Sequence, residues 1–214
     1  MTSWFLSDPH LGHGKVLIGP RGDHFPDVDD WNRHILGECR RLVTGQDRLY
    51  ILGDLSMERP ELWVNKLPKN TWLIHGNHDG SYGRCVRAFG QRFRPVRETK
   101  LADGRKCWLS HYAHAFWPAS HHGAYHLYGH THDQREDTLD QWMPQRRSMD
   151  CCPETVFRLT GEFRPISEHE IIDILGSREG HDQVDFYRDR RGEYVSTPEE
   201  KEADDRSPES NGPG

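Results

Sequence analysis

Five short segments, far apart in the chain, carry the side chains that hold divalent cations and move protons. They are Ser7-Asp8-Pro9-His10, Gly53-Asp54, Gly76-Asn77-His78-Asp79, Ser110-His111 and Gly129-His130-Thr131-His132. Carboxylate, imidazole and amide oxygen are hard or borderline donors, and a mixed set of them suits Mn, Fe, Zn or Ni better than Ca or Mg. Asp8 and His10 are two positions apart, so on an extended strand end both project to one side, and His130 and His132 repeat that spacing. Asp-x-His or Gly-Asp alone reads as a turn. All five segments together, in this order, read as the ligands of a metal site.

Each segment must be delivered by an element, and each follows a short apolar run. Trp4-Phe5-Leu6, Leu49-Tyr50-Ile51-Leu52, Trp72-Leu73-Ile74, Cys107-Trp108-Leu109 and Tyr125-His126-Leu127-Tyr128 are bounded by Gly or turn residues, the pattern of buried strands. In open α/β sheets the ligand site lies at the carboxyl ends of the strands, so five strand ends can converge there. Between the runs, Val28, Trp31, Ile35, Leu36 and Leu42 follow Pro26-Asp27 at helical spacing, which predicts a helix over 28–42. A shorter helix is expected over 60–67, and 93–109 reads as a hairpin turning at Asp103-Gly104. The fold class is α/β with at least one mixed sheet.

The 214 residues suit one domain with a short appendage, expected as 1–175 and 176–214. Hydrophobic residues make up 34%, low but enough for one core when polar residues gather at a site and in a tail. The end of the chain is polar and rich in Pro and Gly, so disorder is expected there. No stretch approaches the ~18 apolar residues that span a bilayer. Five scattered Cys without a Cys-x-x-Cys pair fit a reducing cytoplasm and no thiolate zinc site. A net charge of −6 argues against a long duplex-binding footprint. Fifteen His is the unusual count, and the segments above show where they cluster.

Three further stretches complete a family likeness. They are Ser7-Asp8-Pro9-His10-Leu11-Gly12-His13, Trp117-Pro118-Ala119-Ser120-His121-His122-Gly123 leading to His126-Leu127-Tyr128-Gly129-His130, and Phe163-Arg164-Pro165-Ile166-Ser167. With them, residues 4–172 resemble the calcineurin-like metallophosphoesterase superfamily, and more closely its branch of small single-domain phosphohydrolases of bacteria and phages. The resemblance implies a four-layer α/β/β/α sandwich with two mixed sheets and a dinuclear metal site at the strand C-terminal ends. Asp8, His10 and His132 would bind one divalent ion, Asn77, His111 and His130 the other, and Asp54 would bridge them. Manganese is the first choice of ion, with Fe, Zn or Ni as alternatives. A bridging carboxylate agrees with the ~3.5–4 Å spacing of two-metal hydrolysis, in which cations generate a hydroxide at neutral pH.

The expected activity is hydrolysis of phosphodiesters, and of monoesters, with His78 as general acid and Asp79 either orienting it or finishing the turn. His13, His121, His122 and Trp117 are candidate contacts to a small phosphate-ester or nucleotide substrate. His24, His34, His75, His126, His169 and His181 read as structural or surface residues. Two positions depart from the family pattern: Pro9 inside Asp-x-His, and Ser148-Met149-Asp150-Cys151-Cys152-Pro153, where Asp150 receives no site role. Two other readings compete. A nuclease would use the basic residues Arg84, Arg87, Arg92, Arg94, Arg97, Lys100, Arg105 and Lys106. A non-catalytic scaffold would keep the fold without chemistry. No membrane partner is expected, and the sequence leaves the oligomeric state open.

Overall fold

The apolar runs are strands, and they divide between two mixed sheets. The structure is a computed structural model that describes residues 1–57 and 59–178. In chain order its elements are β1 (Ser3–Leu6), α1 (Gly19–His24), α2 (Val28–Leu42), β2 (Arg48–Leu52), β3 (Thr71–Ile74), α3 (Tyr82–Phe89), β4 (Phe93–Arg94) and β5 (Arg97–Lys100). Then come β6 (Lys106–Leu109), β7 (Tyr125–Tyr128), α4 (Glu136–Trp142), β8 (Ser148–Asp150), α5 (Pro153–Thr160), β9 (Ile166–Ser167) and α6 (Glu168–Gly176). The first sheet has the order β4-β3-β2-β1-β9, parallel except for β9. The second has the order β5-β6-β7-β8, parallel except for β5. Parallel pairing places the ends of β1, β2 and β3 together at one edge, and those of β6 and β7 at one edge of the second sheet.

Strand alternation sends successive side chains to opposite faces. Leu6, Leu49, Ile51 and Leu73 meet Trp31, Ile35, Leu36 and Cys39 of α2 and Cys85 and Phe89 of α3. Phe5, Tyr50, Leu52 and Ile74 meet Cys107, Leu109, Tyr125 and Leu127 of the second sheet, with Ile171 and Leu175 of α6. Burial on both faces explains why these strands read as unbroken apolar runs. Helix α2 begins where Asp27 accepts hydrogen bonds from the Asp29 and Asp30 N–H groups, the start signal read from the sequence.

Two expected elements differ. Segment 60–67 forms two 3₁₀ turns, Pro60–Leu62 and Val64–Lys66, instead of one helix. Leu67, just before Pro68, is held in extended backbone (φ −88°, ψ 162°), which ends the segment there. Within 93–109 only β5 and β6 form the hairpin, because β4 pairs with β3 in the other sheet. Pro95, which has no N–H for a ladder, separates them. The folded body continues through the end of α6, and the Arg178 guanidinium is bonded to Asp140 (2.8 Å) and to the Arg146 carbonyl (3.0 Å). The polar extension from 179 onward, with His181, lies outside the described residues. Among the described residues no helix is long and apolar enough to cross a membrane.

Candidate metal centre

Just past β1 the chain keeps pairing with the loop after β2, but no longer as extended strand. The N–H groups of Asp8, His10 and Leu11 donate to the carbonyls of Gly53, Asp54 and Leu55 at 2.8–3.1 Å. To do so, Asp8, His10 and Asp54 adopt left-handed backbone, with φ of 50°, 47° and 53°. His130 and His132 do the same, at 71° and 47°. Five of the seven expected ligands therefore sit where non-Gly residues are uncommon, a strain of about 1 kcal/mol each that tends to concentrate at functional sites. The strand-end projection inferred for Asp8 and His10 is thus corrected: a left-handed turn brings them together. The same turn sends His130 and His132 to different groups.

Those groups are two. Asp8, His10 and His132 form one, with His10 Nε2 3.8 Å from Asp8 Oδ1, His132 Nε2 3.7 Å from Asp8 Oδ1, and the two imidazole nitrogens 3.3 Å apart. Asp54, His111 and His130 form the other, joined by Asn77, whose Oδ1 is 2.9 Å from His111 Nε2. Asp54 Oδ2 lies 3.5 Å from His111 Nε2 and 3.7 Å from His10 Nε2, so one oxygen faces both groups. For ligand bonds of about 2.1 Å, neighbouring ligand atoms stand about 3.0–3.4 Å apart, close to this spacing.

The donors also fit a cation electrically. Asp8 Oδ2 accepts the His130 N–H (2.8 Å), whereas Asp8 Oδ1 is buried and has no hydrogen-bond donor among the described residues. Burial, with Asp54 adding to it, pushes the Asp8 carboxyl up to about 7. Burial pushes His10 down to about 2, and His111 and His130 also below the usual imidazole range, so their lone pairs are free to bind a cation. His111 Nδ1 is held by the Leu52 carbonyl at 2.9 Å, which directs Nε2 into the group. His132 Nδ1 lies 3.7 Å from Glu154. Burial opposes charge on both partners, but their mutual attraction prevails: His132 is raised, and Glu154, which Arg21 also binds, is lowered to about 2.

The glycines of these motifs are required by close approach. A Cβ on Gly53 would stand 2.3 Å from His111 Nδ1, and one on Gly129 would stand 2.3 Å from Asp8 Oδ2. Pro9 fits between two left-handed residues, and its carbonyl accepts the Trp31 indole N–H at 2.7 Å.

His78 is at the mouth of the site, its side chain 40% exposed, with Nε2 4.0 Å from Asp54 Oδ2 and its ring 5.3 Å from that of His10. His13 stands beside both, its ring 5.8 Å from His10 and 6.4 Å from His78. Asp79 is not placed for chemistry. Its carboxylate accepts the N–H groups of Gly76, Asp54 and Leu55 at 2.8–3.0 Å, joining the loops after β2 and β3. Trp117, His121 and His122 need correction as substrate contacts. The Trp117 indole donates to the Ala124 carbonyl and its ring packs on His126, while His121 and His122 form the turn just before β7. That is the amino end of β7, about 10 Å of strand away from the end that presents His130.

Four residues unassigned or unread in the sequence support the site. Arg21, fully buried, donates to the Asp8 carbonyl and to Glu154 (2.9 Å). Asp150 accepts from Ser7, Thr131 and the Cys152 N–H, fixing the Gly129–His132 loop to β1. Tyr112, about half exposed, directs its hydroxyl to Asn77 Oδ1 at 3.3 Å. Cys152-Pro153-Glu154 carried a helix-start signal in Pro153, but nothing in it pointed to His132.

No family model matches the chain. It is 24% identical over 177 residues to the uncharacterized protein MJ1445 of Methanocaldococcus jannaschii, over 80% of this chain and 90% of that protein. Its fold is similar to that of AQ665, a protein of unknown function from Aquifex aeolicus, with a TM-score of 0.58 and 20% identity. That similarity covers 81% of this chain and 98% of the other, and it shows a shared fold.

Proposed function

We propose that this protein is a metal-dependent phosphoesterase that hydrolyses small phosphodiesters and monoesters. The observation that carries this reading is Asp54 Oδ2, 3.5 Å and 3.7 Å from a histidine of each ligand group, with His78 beside it. Asp8, His10 and His132 would hold one ion, Asn77, His111 and His130 the other, and Asp54 both. Manganese is the first choice, with Fe, Zn or Ni as alternatives for this donor set. Bound there, divalent cations would acidify water and neutralise charge on phosphoryl oxygens. On this reading the helices outside the two facing sheets complete the four-layer α/β/β/α sandwich. Five buried thiols and the lack of any disulfide among them suit a cytoplasmic protein.

The protein's own groups would act as follows. The His78 N–H donates to Asp54 Oδ1 (2.8 Å), which fixes the start of that loop relative to the ligands. His78 gives a proton to the departing ester oxygen as the P–O bond breaks, and water supplies the hydroxyl that phosphorus gains. His13, on the same side, contacts non-bridging phosphate oxygens. Asp79 and Asp150 hold the loops in register.

A small substrate is favoured over a nucleic acid by where the basic residues of the β5–β6 hairpin fall. Arg97 lies over the Trp72 ring, and Lys106 and Arg105 pair with Glu98 and Asp103. Lys100, Arg105 and Lys106 flank the hairpin turn at the amino end of β6, opposite the end that leads to His111. A scaffold without chemistry would have no need of five strained residues around a donor cluster.

The test is hydrolysis of paired chromogenic phosphate monoesters and diesters by metal-stripped protein resupplied with Mn, Ni, Zn, Fe or Mg, beside Asp54→Asn. Metal should restore turnover to the native protein and leave the variant at least about 100-fold slower. Bound metal without turnover in any of these conditions would overturn the reading.

A further inference from the structure

A cleft of about 620 Å³ opens beside the first ligand group, within the ~300–1,000 Å³ usual for small-molecule sites. His132 forms part of its wall, so the cleft borders the candidate metal centre. Val16, Ile18, Pro20 and Phe157 give it apolar walls. Ile18 is 69% exposed, an aliphatic side chain left facing solvent beside a chemical site. Phe157 is held by stacking on Phe163, ring centroids 4.3 Å apart and planes within 10°. The polar lining includes Lys15, two residues beyond His13, and Gln134. The charged groups deeper in the wall already have partners, Glu154 in Arg21 and Asp133 in Arg158.

We propose, building on the phosphoesterase reading, that this cleft seats the organic arm of the substrate, an apolar-faced group of nucleoside size with a polar edge. Apolar walls on a water-facing cleft gain by covering the faces of a flat or bulky group. The Gln134 amide offers both donor and acceptor, which suits the edge of a heterocycle, and Lys15 supplies positive charge for a phosphate at the cleft mouth. Free phosphate or a short alkyl ester would leave these walls uncovered. A polynucleotide would need basic residues continuing past the cleft, whereas those of the hairpin turn lie at the amino end of β6.

The experiment uses two phosphonates that cannot be hydrolysed, 5′-deoxyadenosine 5′-phosphonate and methylphosphonate, titrated calorimetrically into the Mn-loaded protein. The nucleoside phosphonate should bind at least about tenfold more tightly, the size of a modest apolar contact. Ile18→Glu, at an exposed position that folding does not depend on, should remove that margin and leave methylphosphonate affinity within about twofold. Equal affinity for both compounds, or a margin that survives Ile18→Glu, would overturn the cleft assignment and leave the phosphoesterase reading standing. Binding of neither compound to the metal-loaded protein would overturn the phosphoesterase reading, and the cleft assignment with it.

Discussion

The 2.8 Å bond from the backbone N–H of His78 to Asp54 Oδ1 ties the loop after β3 to the carboxylate whose other oxygen faces both ligand groups. His78 lies outside both ligand groups, which separates its contribution from metal binding. His78→Ala should lower kcat roughly 10²–10⁴-fold on an ester with a poor leaving group while metal content by elemental analysis stays unchanged. Loss of metal, or undiminished turnover, would remove His78 as the acid. At this scale the seven candidate ligands, which the fold gathers into two groups around Asp54, were legible because their residue types are few and their order is specific. Trp117, His121 and His122 were misplaced for an identifiable reason. Nearness in sequence to Tyr125–Tyr128 does not say which end of that strand a residue occupies, and these three precede it. Asp79 was read as either orienting His78 or finishing the turn; its carboxylate serves three backbone N–H groups of the two loops, a use invisible without the fold.

The elements that were legible had a strong local signal. The 28–42 helix had both spacing and cap, and the parallel strands had apolar runs. Helix α6, not expected from the sequence, starts at a capping box of Ser167 and Glu170, with Arg164 bound to Glu170 at 2.6 Å. Burial by itself would raise the Glu170 carboxyl, but the hydrogen bonds from Arg164 and Ser167 outweigh it and hold it below 4.5. A depressed folded-state value means stability that is present above the unfolded value and lost as pH falls through the folded one. Glu170→Gln keeps the cap but removes the charge, so it should destabilise by about 0.5–1 kcal/mol at pH 7. In urea melts that difference should close below pH 4.5; a gap that persists in acid would assign the effect to packing. The 60–67 segment shows the opposite case, in which four apolar residues between two prolines specify no more than two 3₁₀ turns.

Over the whole molecule, the fold brings Asp8, Asp54, Asp79 and Asp150 into one buried region with Arg21 beside them. Folding this region carries desolvation and left-handed strain, and cations bound to the native state alone would offset both. Saturating Mn should therefore raise Tm over the metal-stripped protein by roughly 5–10 °C per tightly held ion, and Asp54→Asn should abolish most of the rise. Equal Tm with and without metal would argue that the ligand groups hold no ion. By itself the sequence determined which side chains are candidate ligands, that short buried strands deliver them, and that the fold is α/β. Residue type, motif order and apolar run length are local properties, readable along the chain. The left-handed backbone at Asp8, His10, Asp54, His130 and His132, the support given by Arg21, Glu154 and Asp150, and the cleft beside His132 were decided only by tertiary structure. Each of these depends on backbone turning left-handed after a strand, or on atoms more than a hundred residues apart meeting in one buried space, and no local pattern records either.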